Sequence, residues 1–288
     1  MIARIALEAG GTLLVLIGLR EVFRDIFHPT RSGSLSDFVG RFMSLLMRHT
    51  RFRPAVGPIS LVTVILCWVS FLATGFALIY CGLLPQQVAG GPGATSGTFA
   101  QNFLKSLYFS LGAFDTFQTF DLSAQTNWLR FVISVEGLIG ISMITASVSW
   151  LVLLYPALAR CRRFALYVSL LAEAENRAGI SLVRYVGTPL LMDLVRGVLQ
   201  FRSDVILFPI LLNFYTENQS ATISNALPEI CRFAAEAVAP SCPESTRLAG
   251  IHLQVTLEDL ARVMASHVLE TESTDPKQVF LSFQRREQ

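Results

Sequence analysis

The stretch Ser106-Leu107-Tyr108-Phe109-Ser110-Leu111-Gly112-Ala113-Phe114-Asp115-Thr116-Phe117-Gln118-Thr119-Phe120-Asp121-Leu122 decides how this chain is read. Its first half belongs to an apolar run from Phe99 to Gly112 (FAQNFLKSLYFSLG). That run is about 14 residues, about 21 Å as a helix, too short to cross the hydrocarbon core of a bilayer. Its second half turns polar within a few residues. A half-length helix followed by extended backbone is tolerated at membrane depth only where protein or a water-filled cavity surrounds it. The glycine-rich stretch Gly90 to Gly97 (GGPGATSG) precedes the run and reads as coil.

On either side lie longer apolar segments. Ile59 to Leu84 (ISLVTVILCWVSFLATGFALIYCGLL) carries no charge, and Trp128 to Tyr155 carries only Arg130 and Glu136. Each satisfies the requirement of roughly 20 mainly apolar residues for a spanning helix. A third candidate, Ile2 to Leu19, continues to Phe27 and is interrupted by Arg4 and Glu8. It is expected to span, the alternative being an amphipathic helix lying on the membrane surface. No cleaved signal is expected there, because a basic leader and a small-residue cleavage site are missing. Composition agrees with a membrane class: 52% hydrophobic and 15% charged residues, with a mean hydropathy of +0.51. A net charge of +2 is too small to argue for a nucleic-acid partner, and none is expected.

The arginines orient the spans. Arg20, Arg24, Arg31, Arg41, Arg48, Arg51 and Arg53 lie between the first and second, and Arg160, Arg162 and Arg163 follow the third. Pro85 to Asn127 holds Lys105 and no arginine. The positive-inside rule puts the arginine-rich loop and the C-terminal half in the cytoplasm, and the N-terminus and Pro85 to Asn127 outside. Within the cytoplasmic loop, Leu35, Phe38, Val39, Phe42, Leu45 and Leu46 have helical periodicity. With arginines opposite, they predict a basic interfacial helix in residues 29–56.

The stretch quoted first resembles the pore helix and filter of the tetrameric potassium-channel superfamily. Ser106-Leu107-Tyr108-Phe109-Ser110 match its aromatic-rich pore helix, Thr116 its first filter threonine, and Asp121 the aspartate that closes the filter. Trp128 and Arg130 are similar to residues entering the family's inner helix, and Gly140 stands at the distance of its hinge glycine. The resemblance covers Phe99 to Tyr155, with the second span added by topology. It implies a two-transmembrane pore-loop subunit of a homotetramer in a prokaryotic plasma (inner) membrane, as a multi-pass protein with lipids around it.

The filter itself departs from that pattern. Where the family has TVGYGD, this chain has Thr116-Phe117-Gln118-Thr119-Phe120-Asp121. In a potassium filter, rings of backbone carbonyls replace the hydration shell of the ion. Glycines permit the torsions that aim those carbonyls, and a left-handed conformation costs other residues about 1–2 kcal/mol. With Gln118 and Phe120 at the glycine positions, the carbonyl ladder is not expected to be kept. Conduction would then use Thr116, Gln118 and Thr119 side chains and acidic rings of Asp115 and Asp121, which favour cations. Phe117 or Phe120 could instead form a hydrophobic constriction.

Four further residues carry alternatives. Asp115 ends the pore helix, where partial negative charge favours a cation; it either forms a cation site or hydrogen-bonds locally. Glu136 is an intramembrane carboxylate, which is either functional or braces the filter by accepting hydrogen bonds from the back of the pore helix or from Ser110. Gly140 and Gly137 serve as a gating hinge or as small positions for close helix packing.

Four domains are expected: residues 1–28, an N-terminal transmembrane helix; residues 29–56, the interfacial helix; residues 57–158, the pore domain; and residues 159–288, a helical cytoplasmic domain. The pore domain divides into an outer helix (59–84), a pore helix (99–113), a filter (114–121) and an inner helix (128–156). The cytoplasmic half is expected to form helices at Arg163 to Ala178, Leu190 to Phe201, Val205 to Tyr215, Ala221 to Val238 and Thr246 to Glu270, with a disordered tail after Thr271. No nucleotide-binding motif is present. His252 and His267 stand 15 apart and read as core or surface residues. The five cysteines, Cys67, Cys81, Cys161, Cys231 and Cys242, have no metal-like spacing and read as buried thiols.

The expected fold is therefore an all-α membrane protein. Its expected function is a cation-conducting channel of altered selectivity, without catalytic residues, resident metal or cofactor, and with monovalent or divalent cations as permeant species. The alternative is a non-conducting channel-like scaffold or sensor that binds a cytoplasmic protein partner through residues 160–288.

Overall fold

The computed structural model describes residues 2–27, 56–83, 88–90, 98–115, 122–214, 222–265 and 275–287. The residues expected to form the interfacial helix and the filter, the latter being Thr116, Phe117, Gln118, Thr119, Phe120 and Asp121, lie outside them. The described residues are helical apart from a two-stranded ladder. They form two compact units that divide between Val152 and Leu153, with the first turn of the second helix, up to Ile59, counted in the second unit.

In the first unit, α1 (Ile2–Phe27) and α2 (Val56–Leu83) are followed by β1 (Val88–Gly90), α3 (Phe99–Phe114) and β2 (Leu122–Ala124). The unit ends in the first half of α4 (Asn127–Ala178). The strands pair antiparallel, with Ala89 opposite Ser123. They join the segment after α2 to the segment before α4, a pairing unpredicted because three residues are too few for an alternation to register.

Gly11, Val15, Gly18 and Val22 form the buried stripe of α1. A Cβ at Gly11 would lie 2.5 Å from Gly75 O on α2, and one at Gly75 would lie 2.8 Å from Val15 Cγ2. Small residues at both positions let the two backbones approach, as membrane helices commonly do. Arg4 and Glu8 pair with each other at 2.7 Å along α1. Among the described residues, Pro58–Leu83 and Asn127–Ala178 are long and apolar enough to cross a membrane. α1, with Arg4, Glu8, Arg20, Glu21 and Arg24, is not one of them.

α4 corrects the predicted end of the inner helix, because it runs on from residue 156 to Ala178 without a break. Pro156 leaves the carbonyl of Val152 without its helical donor, and the units divide at that residue. Gly179, at φ +64°, terminates α4 by donating its N–H to Glu175 O at 2.9 Å.

The second unit continues with α5 (Leu182–Tyr185), α6 (Thr188–Leu207), a 3-10 turn (Pro209–Asn213), α7 (Ile223–Ala237), α8 (Glu244–Met264) and α9 (Pro276–Glu287). Its core comes from the apolar faces of α6 to α9, including Leu191, Leu194, Leu227, Phe233, Leu253 and Leu260. Two predictions fail here. The helix expected at Val205 to Tyr215 is split, because Phe208 lies outside helical geometry and Pro209 starts the 3-10 turn. The tail expected to be disordered contains α9, which buries Val279, Phe280 and Phe283. Three apolar residues at helical spacing suffice to dock a short helix onto an existing core.

Candidate functional site

α3 is the half-length helix that the sequence predicts, ending at Phe114. Its start is fixed by Thr98, whose backbone N–H donates to Gln101 Oε1 at 3.0 Å. Its buried face carries Ser106, Phe109, Ser110 and Phe114.

Glu136, on α4, is fully buried. A carboxylate so placed needs donors, since desolvation without them costs several kcal/mol. It has two. The Ser110 hydroxyl on α3 lies 2.5 Å from Oε1, and the Tyr80 hydroxyl on α2 donates to Oε2. Ser110 Oγ also lies 3.1 Å from the carbonyl of Ala73 on α2. Tyr80 is held in place by Phe109, whose ring meets it edge-on with centroids 5.1 Å apart. One side chain thus ties three helices together behind the C-terminal half of α3.

Glu136 and Ser110, one of the two pairings expected for this carboxylate, are in direct contact. Tyr80 is the residue that sequence reasoning missed. A signal was available: it is the single tyrosine in the charge-free span Ile59 to Leu84, and a buried phenol seeks an acceptor.

Gly140 is buried one turn beyond Glu136. A Cβ there would overlap the carbonyl oxygen of Phe114, so the end of α3 rests on the α4 backbone. This contact accounts for the glycine by packing. Gly137 is half-buried in the same helix. Asp115 caps α3 in helical geometry, its N–H donating to Leu111 O at 3.0 Å, and its side chain is exposed. The carboxylate therefore stands where α3 carries its partial negative charge. Arg130 Nε donates to Ala124 O at 3.2 Å, fastening β2 to the start of α4.

At about 100° per residue, Ser134, Ser142, Thr145 and Ser149 fall on the side of α4 opposite Glu136, Gly140 and Met143. All four hydroxyls are exposed and donate to the carbonyl four residues earlier. Leu138, Ile141 and Val152 share this exposed face. At the start of α4, exposed Trp128 and Phe131 stack with centroids 6.2 Å apart. Among the described residues, no group of three or more His, Cys, Asp or Glu is placed to hold a metal.

No family model, curated protein or solved structure matches the chain.

Proposed function

We propose that this chain is the subunit of a homotetrameric membrane pore that conducts cations through a filter of altered selectivity. One observation carries the reading: α3 is a half-length helix lodged against Gly140 and tied by Ser110 and Glu136 to α4 and, through Tyr80, to α2. That frame aims the C-terminal end of α3 and Asp115 toward the residues that follow. Four copies around an axis would surround it with four such ends, which favours a cation.

Two further features support the reading. The exposed hydroxyl stripe of α4 suits a water-filled cavity, since each hydroxyl is satisfied internally yet remains able to accept. The many exposed aliphatic and aromatic residues of the first unit, among them Ile5, Leu66, Leu104 and Ile144, suit lipid and neighbouring subunits. In this arrangement α2 and the first half of α4 span a plasma membrane, with the arginine-rich segments and the second unit in the cytoplasm. Thr116 to Asp121 form the filter, and its selectivity rests on side chains.

An ion-substitution flux assay on the purified full-length oligomer in vesicles tests this. Cation flux above that of empty vesicles is expected, reduced severalfold by Asp115→Asn. Absence of flux for every cation, across pH and voltage, overturns the channel reading.

A second reading, a non-conducting scaffold or sensor, is favoured by the filter's lack of glycine and by Phe117 and Phe120 within it. It requires a closed radius profile through a tetramer and a protein partner held by residues 160–288.

A further inference from the structure

The inner face of α8 is ordinary: Leu253, Leu257, Leu260 and Met264 are buried against the second unit's core. The outer face is not. Glu244, Leu248, Ile251, Val255, Glu258 and Arg262 follow one another at alternating spacings of four and three residues. That is the spacing of a coiled-coil seam. All six side chains are exposed, Leu248 at 70%, Ile251 at 45% and Val255 at 53%. Single exposed aliphatic residues need no explanation, but three on one line form a patch of the kind that marks an interface.

The charges at the two ends of this line select its occupant. If a second α8 is laid antiparallel, with the two-fold axis level with Leu253, Ile251 faces Val255 of the second copy. Leu248 then meets the stem of Glu258, whose carboxylate falls beside the second copy's Arg247. At each end Glu244 meets Arg262. A parallel pair would set Glu244 on Glu244, Glu258 on Glu258 and Arg262 on Arg262, which like-charge repulsion disfavours. The pattern is self-complementary in one orientation only, as a two-fold interface requires.

We propose that α8 is a self-docking face, through which two copies of this chain pair antiparallel in the register Ile251 to Val255 and Glu244 to Arg262. The pairing does not depend on a conducting pore.

Full-length chains carrying Ile251→Cys and Val255→Cys, separately tagged and co-expressed, test it by oxidation in detergent and non-reducing electrophoresis. The mixed pair is expected to give far more disulfide-linked dimer than either variant alone or than the wild-type chain with its own cysteines. Equal yields in all of these overturn the proposal. In the mixed pair, Glu244→Arg on both chains should lower the yield about tenfold, as should Arg262→Glu, and the two reversals together should restore it. Failure of the double reversal to restore it overturns the register. A link formed within one chain between Ile251→Cys and Phe38→Cys would make the segment around Phe38 the occupant and overturn the pairing. Each readout concerns α8 alone, so a negative result leaves the flux test of the pore unaffected.

Discussion

The carbonyl oxygen of Phe114 rests on Gly140, with no room for a Cβ between them. The end of α3 and the first half of α4, with β2 lying between them in sequence, therefore meet at the point where α3 ends. The chain beyond α3 leaves from a carbonyl end seated on the backbone of α4. Replacing the glycine must move one helix or the other.

Gly140→Ala should accordingly destabilise the protein by about 1–3 kcal/mol, the usual cost of overpacking. Gly10→Ala is the contrast: a Cβ there meets nothing within 4 Å, and alanine is the better helix former. Thermal denaturation of both variants in detergent checks this. A midpoint for Gly140→Ala equal to wild type would mean that the Phe114 contact bears no load.

Removing one donor from Glu136 should be costly because the carboxylate stays buried. Tyr80→Phe is expected to lose about 1–3 kcal/mol, and Ser110→Ala a similar amount. Because both hydroxyls serve one carboxylate, the double variant should depart from the sum of the singles by about 0.5 kcal/mol or more. A double-mutant cycle by chemical denaturation measures this coupling, and strict additivity would contradict a shared brace.

α9 is predicted to be integral to the second unit. Phe283 is 1% exposed, so Phe283→Ala should cost about 3–5 kcal/mol. Limited proteolysis should cut the variant within residues 276–287 before it cuts the wild type. Identical cleavage rates would show that the helix does not dock.

Cys231 gives a pH dependence of known sign. Burial, the largest influence, pushes its thiol up to about 11, with Lys277 opposing and Asp275 adding to the rise. In the unfolded chain the thiol ionises near 8.5. Its contribution to stability is thus complete below about 8.5 and is lost as pH rises toward the folded value, since the unfolded state releases its proton first. The thermal midpoint should fall more steeply between neutral and alkaline pH in the wild type than in Cys231→Ala. Parallel slopes would refute the assignment.

Much of the architecture was legible because the signals were local. Ile59 to Leu84 and Trp128 to Tyr155 announce helices by their composition, and the run from Phe99 announces a short one by its length. The helical periodicity of the C-terminal half located α6, α7 and α8, although α6 runs on from the expected end at Phe201 to Leu207. The errors came where a short-range signal was weak. Pro209 broke a helix that apolar spacing alone would have continued, and Val279, Phe280 and Phe283 formed a docking face within a polar tail.

At the site the division is similar. Sequence marked Glu136 as expensive and Ser110 as a candidate partner, because a carboxylate in an apolar run must find donors. It left Tyr80 unmarked, although the phenol stood alone in its span, since nothing in one strand of text states which helix faces which.

The half-length helix with which the reading began shows where sequence stops. Its existence, its length and its polar return followed from composition, because bilayer thickness and helical rise together decide what can span. Its seat was decided only by tertiary structure. The burial of Ser110 against Glu136, the reach of Tyr80 and the contact of Phe114 with Gly140 depend on how three helices pack, and packing is a property of distances between segments that the chain order does not contain.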